Sequence, residues 1–295
     1  MEALVLRPDS SPLSRNIEDY PEGIIIPIDK PYRWTSADVI RKVKFAAIRH
    51  FGKKNLKVGH AGTLDPLATG VLLVCIGKAT KLAETLQSHD KEYVAGITFG
   101  ATTPSYDLEK EIDRFFPHEH ITSEAVEAAL PAFIGEQDQI APLFSAKSVD
   151  GVRAYELARK LHAEGKTLDE AAAELIRVSR INITELELKS YRSVVDDFEN
   201  SPSHCGQGDS TDSSASSRIN VTDNSALGLP RAEVRMACSK GTYVRAFARD
   251  LGEALGSGAH LDSLQRSRSG IFRVEEALTV DQTMALLSQT QNTTK

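Results

Sequence analysis

The stretch from Val58 to Leu82, VGHAGTLDPLATGVLLVCIGKATKL, constrains the fold of this chain more than any other. Its centre is Asp65, which stands in a run of small and turn-forming residues. Pro66 fixes its own φ angle and disfavours the helical region for Asp65. Three glycines allow backbone angles that larger residues resist. These are Gly59, Gly62 and Gly70. We therefore expect Asp65 on a rigid, non-helical loop.

The loop is followed by a continuous apolar run, Val71 to Ile76, which is long enough for a buried strand. A carboxylate is thus held against the edge of a core. Two interpretations follow: an ordinary turn, in which the Asp65 side chain accepts a hydrogen bond from a nearby backbone N–H, or a functional carboxylate. Loop chemistry alone favours the ordinary turn, so the decision depends on the rest of the chain.

Composition indicates a folded, soluble chain without a membrane span. Apolar residues make up 41% of the 295 and charged residues 26%, which is typical of globular proteins. No apolar stretch approaches the length of a transmembrane helix, and the N-terminus lacks the pattern of a secretory signal. Three cysteines have neither disulfide nor metal-site spacing, which fits a cytoplasmic location. They are Cys75, Cys205 and Cys238.

Two segments are predicted to lack fixed structure. Residues 1–22 have the composition of a disordered lead-in. Residues 196–229 are rich in Ser, Asp, Asn and Gly and too poor in apolar residues to offset the entropy of ordering. We interpret the second segment as a flexible loop inserted between two strands, in preference to the alternative of a functional lid.

The remaining pattern mixes strands and helices. A helix is predicted from Thr35 or Ser36 to about His50, a strand from Glu92 to Phe99, and a helix over 242–255. The last strand is predicted over 269–274. Because strands and helices do not alternate strictly, an α+β or mixed sheet is expected rather than a doubly wound parallel sheet.

Charge is unevenly distributed along the chain. The net charge of −6 argues weakly against a nucleic-acid partner, but nine basic residues and one acid, Asp38, lie between Lys30 and His60. Such a zone could hold a polyanion, and a solvated helix face is an equal alternative. The nine are Lys30, Arg33, Arg41, Lys42, Lys44, Arg49, Lys53, Lys54 and Lys57.

Three further stretches complete a set with the Asp65 motif. They are Lys30-Pro31, Lys91-Glu92-Tyr93, and CSKGTYVR over 238–245. Each alone has an ordinary structural interpretation: a turn, a half-buried strand aromatic, and the first turn of a helix. Their combination and order favour a functional set over four unrelated structural features.

GHAGTLDPLATG, K-x-Y and SKGTYVR, in this order, resemble the pseudouridine synthases of the TruB type. The resemblance extends from about Gly23 to about Val280. It implies the pseudouridine synthase fold, an α+β fold with a mixed, mainly antiparallel sheet flanked by helices, with the catalytic domain over residues 23–285. It also implies isomerisation of the T-loop uridine at tRNA position 55.

The resemblance implies a role for each matching residue. Asp65 matches the nucleophile that attacks a flipped-out nucleotide, and Arg245 matches the arginine that keeps this carboxylate ionised. Tyr93 matches the tyrosine that stacks on the base and assists removal of the C5 proton. Tyr243 matches a second pocket tyrosine beside the aspartate.

Four more residues match positions that bind the substrate or support the site. His60 matches the histidine that enters the T loop, and Leu264 matches an apolar wall of the pocket. Lys30 and Pro31 match a turn that supports the Asp65 loop. The sequence leaves open whether the carboxylate attacks the ribose C1′ or uracil C6.

The reaction needs no cofactor and no metal, because it involves neither redox change nor phosphate transfer. The implied partner is the T arm of tRNA, with no membrane and no obligate protein partner, and the chain is expected to act as a monomer. Relatives often carry a C-terminal RNA-binding domain of the PUA kind, for which this sequence leaves no room before Lys295.

Two other functions compete with this interpretation. The first is a non-catalytic protein that binds and folds tRNA, which would not need Asp65, Tyr93 and Arg245 together. The second is a glycosidase-like hydrolase, which usually needs a second carboxylate as the acid. The Asp65 motif contains no second carboxylate.

Overall fold

Strands dominate the part of the chain that the computed structural model describes, which is residues 2–142, 148–149, 152–153, 178–193, 219 and 221–288. The strands are β1 (Leu4–Val5), β2 (Ile24–Lys30), β3 (Val58–Ala61), β4 (Ala68–Ile76), β5 (Lys91–Phe99), β6 (Ala101–Thr102), β7 (Arg114–Phe115), β8 (Gly135–Ile140), β9 (Ser148–Val149), β10 (Val152–Arg153), β11 (Val178–Arg192), β12 (Arg231–Cys238), β13 (Ala259–Ser269) and β14 (Phe272–Arg273). The described α-helices are α1 (Ser36–Phe51), α2 (Ala83–Ser88), α3 (Ser123–Ala129), α4 (Val244–Ala254) and α5 (Val280–Ser288).

Ten of these strands form one mixed sheet, and the chain divides into two compact units. The first unit comprises Met1–Val94, Pro202–Ile219 and Leu264–Lys295. The second comprises Ala95–Ser201 and Asn220–Ser263. Strands β5 and β13 each contribute residues to both units.

The first unit is built around β4. On one edge β4 pairs antiparallel with β2. The opposite edge is shared: β13 runs parallel to the first residues of β4, and β3 runs antiparallel to its last residues. The predicted apolar run, Val71 to Ile76, is fully buried within this strand, as expected.

Helix α1 covers a buried face of the same unit. Thr35 and Asp38 form a capping box at its N-terminus, and Gly52 ends it in the left-handed conformation. Its buried positions Val39, Val43 and Ala47 recur at helical spacing, and the helix contacts α5. The predicted helix over this stretch is confirmed.

In the second unit, β11 pairs antiparallel with β12 on one edge and with β8 on the other. Helix α4 buries Ala246, Phe247 and Leu251. The ring of Phe133 meets that of Phe247 edge to face, with centroids 5.4 Å apart. Most side chains of β11 are exposed or half-buried, which is why so long a strand contains many polar residues.

The prediction of an α+β fold with a mixed, mainly antiparallel sheet is confirmed. Gly62 and Gly70 have φ angles of 88° and 95°, as the Asp65 motif predicts. Gly59 is an exception, because it lies within β3 and has no positive φ. The predicted insertion over 196–229 lies outside the described residues, apart from residue 219 and residues 221–229.

Strand β13 was missed by the sequence analysis, which placed the last strand at 269–274. Its central residues are mostly polar, so they show no hydrophobic alternation. The buried positions include His260, Arg266 and Ser269, and the first two are satisfied by hydrogen bonds to carbonyl oxygens. A polar strand buried in this way gives no sequence signal of the usual kind.

The prediction of a disordered lead-in was wrong, because residues 2–22 are packed against the rest of the first unit. Strand β1 pairs parallel with β2, and Leu6 and Leu13 are buried. The ring nitrogens of His50 lie 2.8 Å from the Leu287 carbonyl oxygen and 3.1 Å from that of Ser14. The lead-in is therefore part of the core of the first unit.

Among the described residues, no helix combines the length and apolarity needed to cross a bilayer. The same residues contain no cluster of three or more His, Cys, Asp or Glu side chains that could hold a metal ion.

The variant Leu13→Ala tests whether the lead-in packs into the core of the first unit. Leu13 is 2% exposed, so truncation should leave a cavity and lower the free energy of unfolding by about 2–5 kcal/mol. Leu4→Ala is the matched control, because Leu4 is 39% exposed and the same change should cost far less. Urea unfolding of both variants gives the comparison. Equal midpoints for Leu13→Ala and the wild type would contradict the packing of this segment.

Candidate active site

Asp65 lies on a turn between β3 and β4 and is half-buried. The Ala68 N–H donates to the Asp65 carbonyl oxygen at 3.1 Å, which closes a four-residue turn. Asp at the first position and Pro at the second are typical of a type I turn. The predicted non-helical loop is confirmed at this residue.

Both neighbours of Asp65 are fixed by buried side chains. The Leu64 N–H donates to the Ser36 hydroxyl at 3.0 Å, and that hydroxyl lies 3.1 Å from the Leu64 carbonyl oxygen. On the other side, the Lys30 ammonium donates to the Pro66 carbonyl oxygen at 3.1 Å. The backbone on either side of Asp65 is thus held by α1 and by β2.

Lys30 is fully buried and also donates to the carbonyl oxygens of Pro31 and Trp34, at 3.0 and 2.6 Å. Burial lowers the pKa of Lys30 to about 7, and the nearby charge of Arg266 acts in the same direction. The negative charge of Asp65 opposes this shift. Three carbonyl acceptors match the three donors of an ammonium group, so the geometry suits the charged form.

A second buried cation, Arg266 of β13, binds the ends of the same loop. Its Nε donates to the Val71 carbonyl oxygen at 2.7 Å, and its Nη2 donates to that of Gly62 at 3.0 Å. A Cβ on Gly70 would stand 2.3 Å from the Arg266 carbonyl oxygen. Only glycine therefore allows β4 and β13 to approach so closely at this point.

The other predicted residues of the first unit lie on neighbouring elements. Leu264 is the first residue of β13 that pairs with β4, and it stands opposite Ala68. Tyr93 is buried on β5. His60 is half-buried on β3, and burial followed by the charge of Arg266 lowers the pKa of its ring. Its buried Nδ1 has no hydrogen-bond partner among the described residues.

In the second unit, Arg245 is buried near the start of α4. Its Nη1 donates to the Ser105 carbonyl oxygen at 3.0 Å, and its Nε lies 3.8 Å from Oδ2 of Asp107. Asp107 is itself held, because Oδ1 accepts from the Ser105 hydroxyl at 2.6 Å and from the Glu109 N–H at 3.0 Å. Arg245 thus faces a fixed carboxylate within its own unit.

Tyr243 is the N-cap residue of α4, and one buried side chain positions its backbone. The Gln139 amide accepts from the Tyr243 N–H at 2.8 Å and donates to its carbonyl oxygen at 3.2 Å. Gln139 lies on β8. The start of α4, which carries Tyr243 and Arg245, is therefore fixed to the sheet.

Sequence reasoning missed four residues that shape these sites: Ser36, Asp107, Gln139 and Arg266. Ser36 carried a weak signal as a helix-capping candidate. Asp107 stands in a polar segment next to Tyr106, whose φ of 55° is unusual for a residue with a side chain. The role of Gln139 depends on pairing between distant segments, which no local pattern reveals.

Two family models match the chain. One, described as the TruB family pseudouridylate synthase N-terminal domain, matches residues 49–200. The other, described as the tRNA pseudouridylate synthase B C-terminal domain, matches residues 245–295.

Curated relatives are similar over most of their length. A tRNA pseudouridine synthase B from Phocaeicola vulgatus is 46% identical, over 89% of this chain and 92% of its own. The protein of the same name from Parabacteroides distasonis is 43% identical, over 92% and 96%. That from Flavobacterium johnsoniae is 40% identical, over 89% and 95%.

Solved structures support the fold. A chain in a crystal structure of a Cbf5–Nop10–Gar1 complex matches with a TM-score of 0.54 at 24% identity, over 94% of this chain and 58% of that one. A chain of an H/ACA RNP bound to a substrate RNA containing 2′-deoxyuridine matches with a TM-score of 0.52 at 21% identity, over 95% and 62%. This chain thus spans about three fifths of those longer chains.

The buried charge of Lys30 should make stability depend on pH. Its pKa is about 7 in the native state and about 10.4 in an unfolded chain, so the unfolded state binds more protons between these values. The free energy of unfolding of the wild type should therefore rise with pH in this window relative to Lys30→Met, by up to about 1.4 kcal/mol per pH unit. Urea unfolding at pH 6, 7, 8 and 9 measures the difference.

The control for this experiment is Lys78→Met, which removes an exposed lysine of the same unit. Its difference from the wild type should not change over the same pH range. A constant difference for Lys30→Met as well would show that Lys30 titrates alike in the folded and unfolded states.

Proposed function

Because this chain belongs to the TruB family of pseudouridylate synthases, we propose that it is a tRNA pseudouridine synthase that isomerises the T-loop uridine at position 55. The curated relatives at 40–46% identity are named tRNA pseudouridine synthase B. The observation that carries the proposal is the Asp65 turn, whose flanking residues are both fixed by buried side chains. Such a turn presents one carboxylate in a defined place.

The chemistry proposed for Asp65 is nucleophilic catalysis. Attack by the carboxylate, at the ribose C1′ or at uracil C6, forms a covalent intermediate and divides one difficult step into two. Over the whole reaction the N1–C1′ bond breaks and a C5–C1′ bond forms, while C5 loses a proton and N1 gains one. The net change is an isomerisation with no oxidant, reductant or phosphate donor.

The remaining residues would surround the extruded nucleotide. Tyr93 stacks on the base and assists proton removal from C5, while Tyr243 and Leu264 shape the pocket. His60 takes the place of the uridine in the T loop as a neutral ring, in keeping with its lowered pKa. Stacking contacts of this kind offset part of the few kcal/mol that base flipping costs.

Arg245 is proposed to pair with Asp65 and keep it ionised during attack. Within the second unit, Arg245 lies beside the Asp107 carboxylate, which is itself fixed by Ser105 and Glu109. The contact with Asp107 gives the guanidinium a defined position within its own unit before the substrate binds.

The T arm is proposed to lie along the basic zone of the first unit. Lys30 cannot contribute to phosphate binding in that zone, because it is fully buried and its ammonium donates to carbonyl oxygens. The exposed members suit phosphate contacts. They are Arg41, Lys44, Arg49, Lys53, Lys54 and Lys57. We further propose that the protein acts as a monomer in the cytoplasm.

The first test is Asp65→Asn, which keeps the shape of the side chain and removes the nucleophile. Tritium release from C5-labelled uridine in tRNA should fall to background, while the Kd for tRNA stays within about threefold, because phosphate contacts supply most of the affinity. Asp90→Asn is the matched control on an exposed residue and should behave as the wild type. Release by Asp65→Asn near the wild-type rate would overturn the assignment, and a wild type that binds tRNA without release would favour a non-catalytic tRNA-binding protein.

The second test concerns the basic zone. Lys54→Gln/Lys57→Gln removes two exposed charges, so the plot of log Kd against log salt should flatten by about 0.7–0.9 per lost phosphate contact. The single-turnover rate at saturating tRNA should stay within about twofold, because these contacts position the substrate without taking part in the reaction. Lys189→Gln, outside the zone, is the control. Equal salt slopes for the double variant and the wild type would place the T arm elsewhere.

A further inference from the structure

Arg266 is a buried cation whose hydrogen-bond partners, within the part of the chain that the structure describes, are backbone atoms. Its side chain is among the largest that are fully buried, with 2% of the residue exposed. Its guanidinium contacts the carbonyl oxygens of Val71, Gly62 and Thr63 at 2.7, 3.0 and 3.5 Å. All three of these hydrogen bonds end on main-chain oxygens.

These three carbonyl groups bracket Asp65. Gly62 and Thr63 precede it, directly after the end of β3, and Val71 follows it within β4. The shared edge of β4 changes partner at this point, since β13 pairs with residues 68–70 and β3 with residues 73–76. Arg266 therefore fills the junction between the two pairings and ties both ends of the Asp65 turn to β13.

Burying such a group is costly unless its donors are satisfied. A residue that served only to pack β13 against β4 would be apolar, as most neighbours in this core are. The planar guanidinium has donors in a fixed fork, which suits acceptors on two separate segments of the chain better than the single nitrogen of lysine does. The contacts thus point to a requirement for fixed geometry at the turn.

We propose that Arg266 is a positioning residue for the chemical step: its fork holds the carbonyl groups on both sides of the turn and so sets where the Asp65 carboxylate stands when it attacks. This inference rests on the proposed function, in which Asp65 is the nucleophile. Arg266 itself does not touch the substrate. It acts through the backbone that carries Asp65.

The test is a single-turnover measurement of pseudouridine formation with enzyme in saturating excess over tRNA. Under these conditions an unfolded fraction of enzyme does not change the rate constant. Arg266→Gln should lower the rate constant by about 100-fold, because displacements of about 1 Å at a reacting group have effects of this size. Arg266→Lys keeps the charge but not the fork and should lower it by about 10-fold. The Kd for tRNA should be unchanged within about threefold in both variants.

Two controls separate positioning from loss of stability or charge. Leu287→Ala truncates a buried residue of α5 and should destabilise the fold without changing the rate constant. Arg273→Gln removes an exposed charge from β14, next to β13, and should also keep the wild-type rate constant.

Tritium release by the wild type and its loss in Asp65→Asn establish the proposed function independently of Arg266. A wild-type rate constant in Arg266→Gln would then overturn the positioning role alone. So would an equal fall in Leu287→Ala, because the effect would then follow stability. A wild-type rate constant in Arg266→Lys would also overturn it, because charge without the fork would suffice.

Discussion

The candidate site depends on carbonyl oxygens held by two buried cations. Lys30 and Arg266 come from strands on opposite edges of β4. One hydrogen bond of Lys30 and those of Arg266 end on the backbone around Asp65. Each cation loses its hydration on burial, so the main-chain oxygens must replace water as acceptors. The same exchange fixes the conformation of the turn, because the hydrogen bonds to Gly62, Thr63, Pro66 and Val71 each hold one peptide group in or beside the loop.

The sequence predicted the turn that carries Asp65, but it did not predict the buried groups that hold this turn in place. Gly62, Asp65, Pro66 and Gly70 act through local backbone preferences, so their turn could be inferred from adjacent residues. Helix α1 was predictable for the same reason, since its cap and its apolar spacing are both local. A functional role for Asp65 was inferred only from the resemblance to the TruB family. The similarity of most of the chain to curated relatives confirms that the chain belongs to this family.

The features that the sequence did not reveal are contacts between polar groups that lie far apart along the chain. Strand β13 buries His260 and Arg266 against carbonyl oxygens, so its burial is not accompanied by hydrophobic alternation. Asp107 and Gln139 became recognisable only when folding brought them to Arg245 and Tyr243. The spacing of apolar residues predicts which positions are buried, but it does not predict which buried polar groups form hydrogen bonds with each other.

The close approach at Gly70 limits how this site can vary among related proteins. A side chain at position 70 would collide with the carbonyl oxygen of residue 266, which every amino acid carries. No substitution at position 266 could therefore relieve a larger residue at position 70. At Gly62 a Cβ would meet only the tip of the Arg266 side chain at 3.5 Å, and its restriction comes from its own φ of 88°. Both glycines are thus required by a positive φ, but Gly70 also sets the distance between two strands, which Gly62 does not.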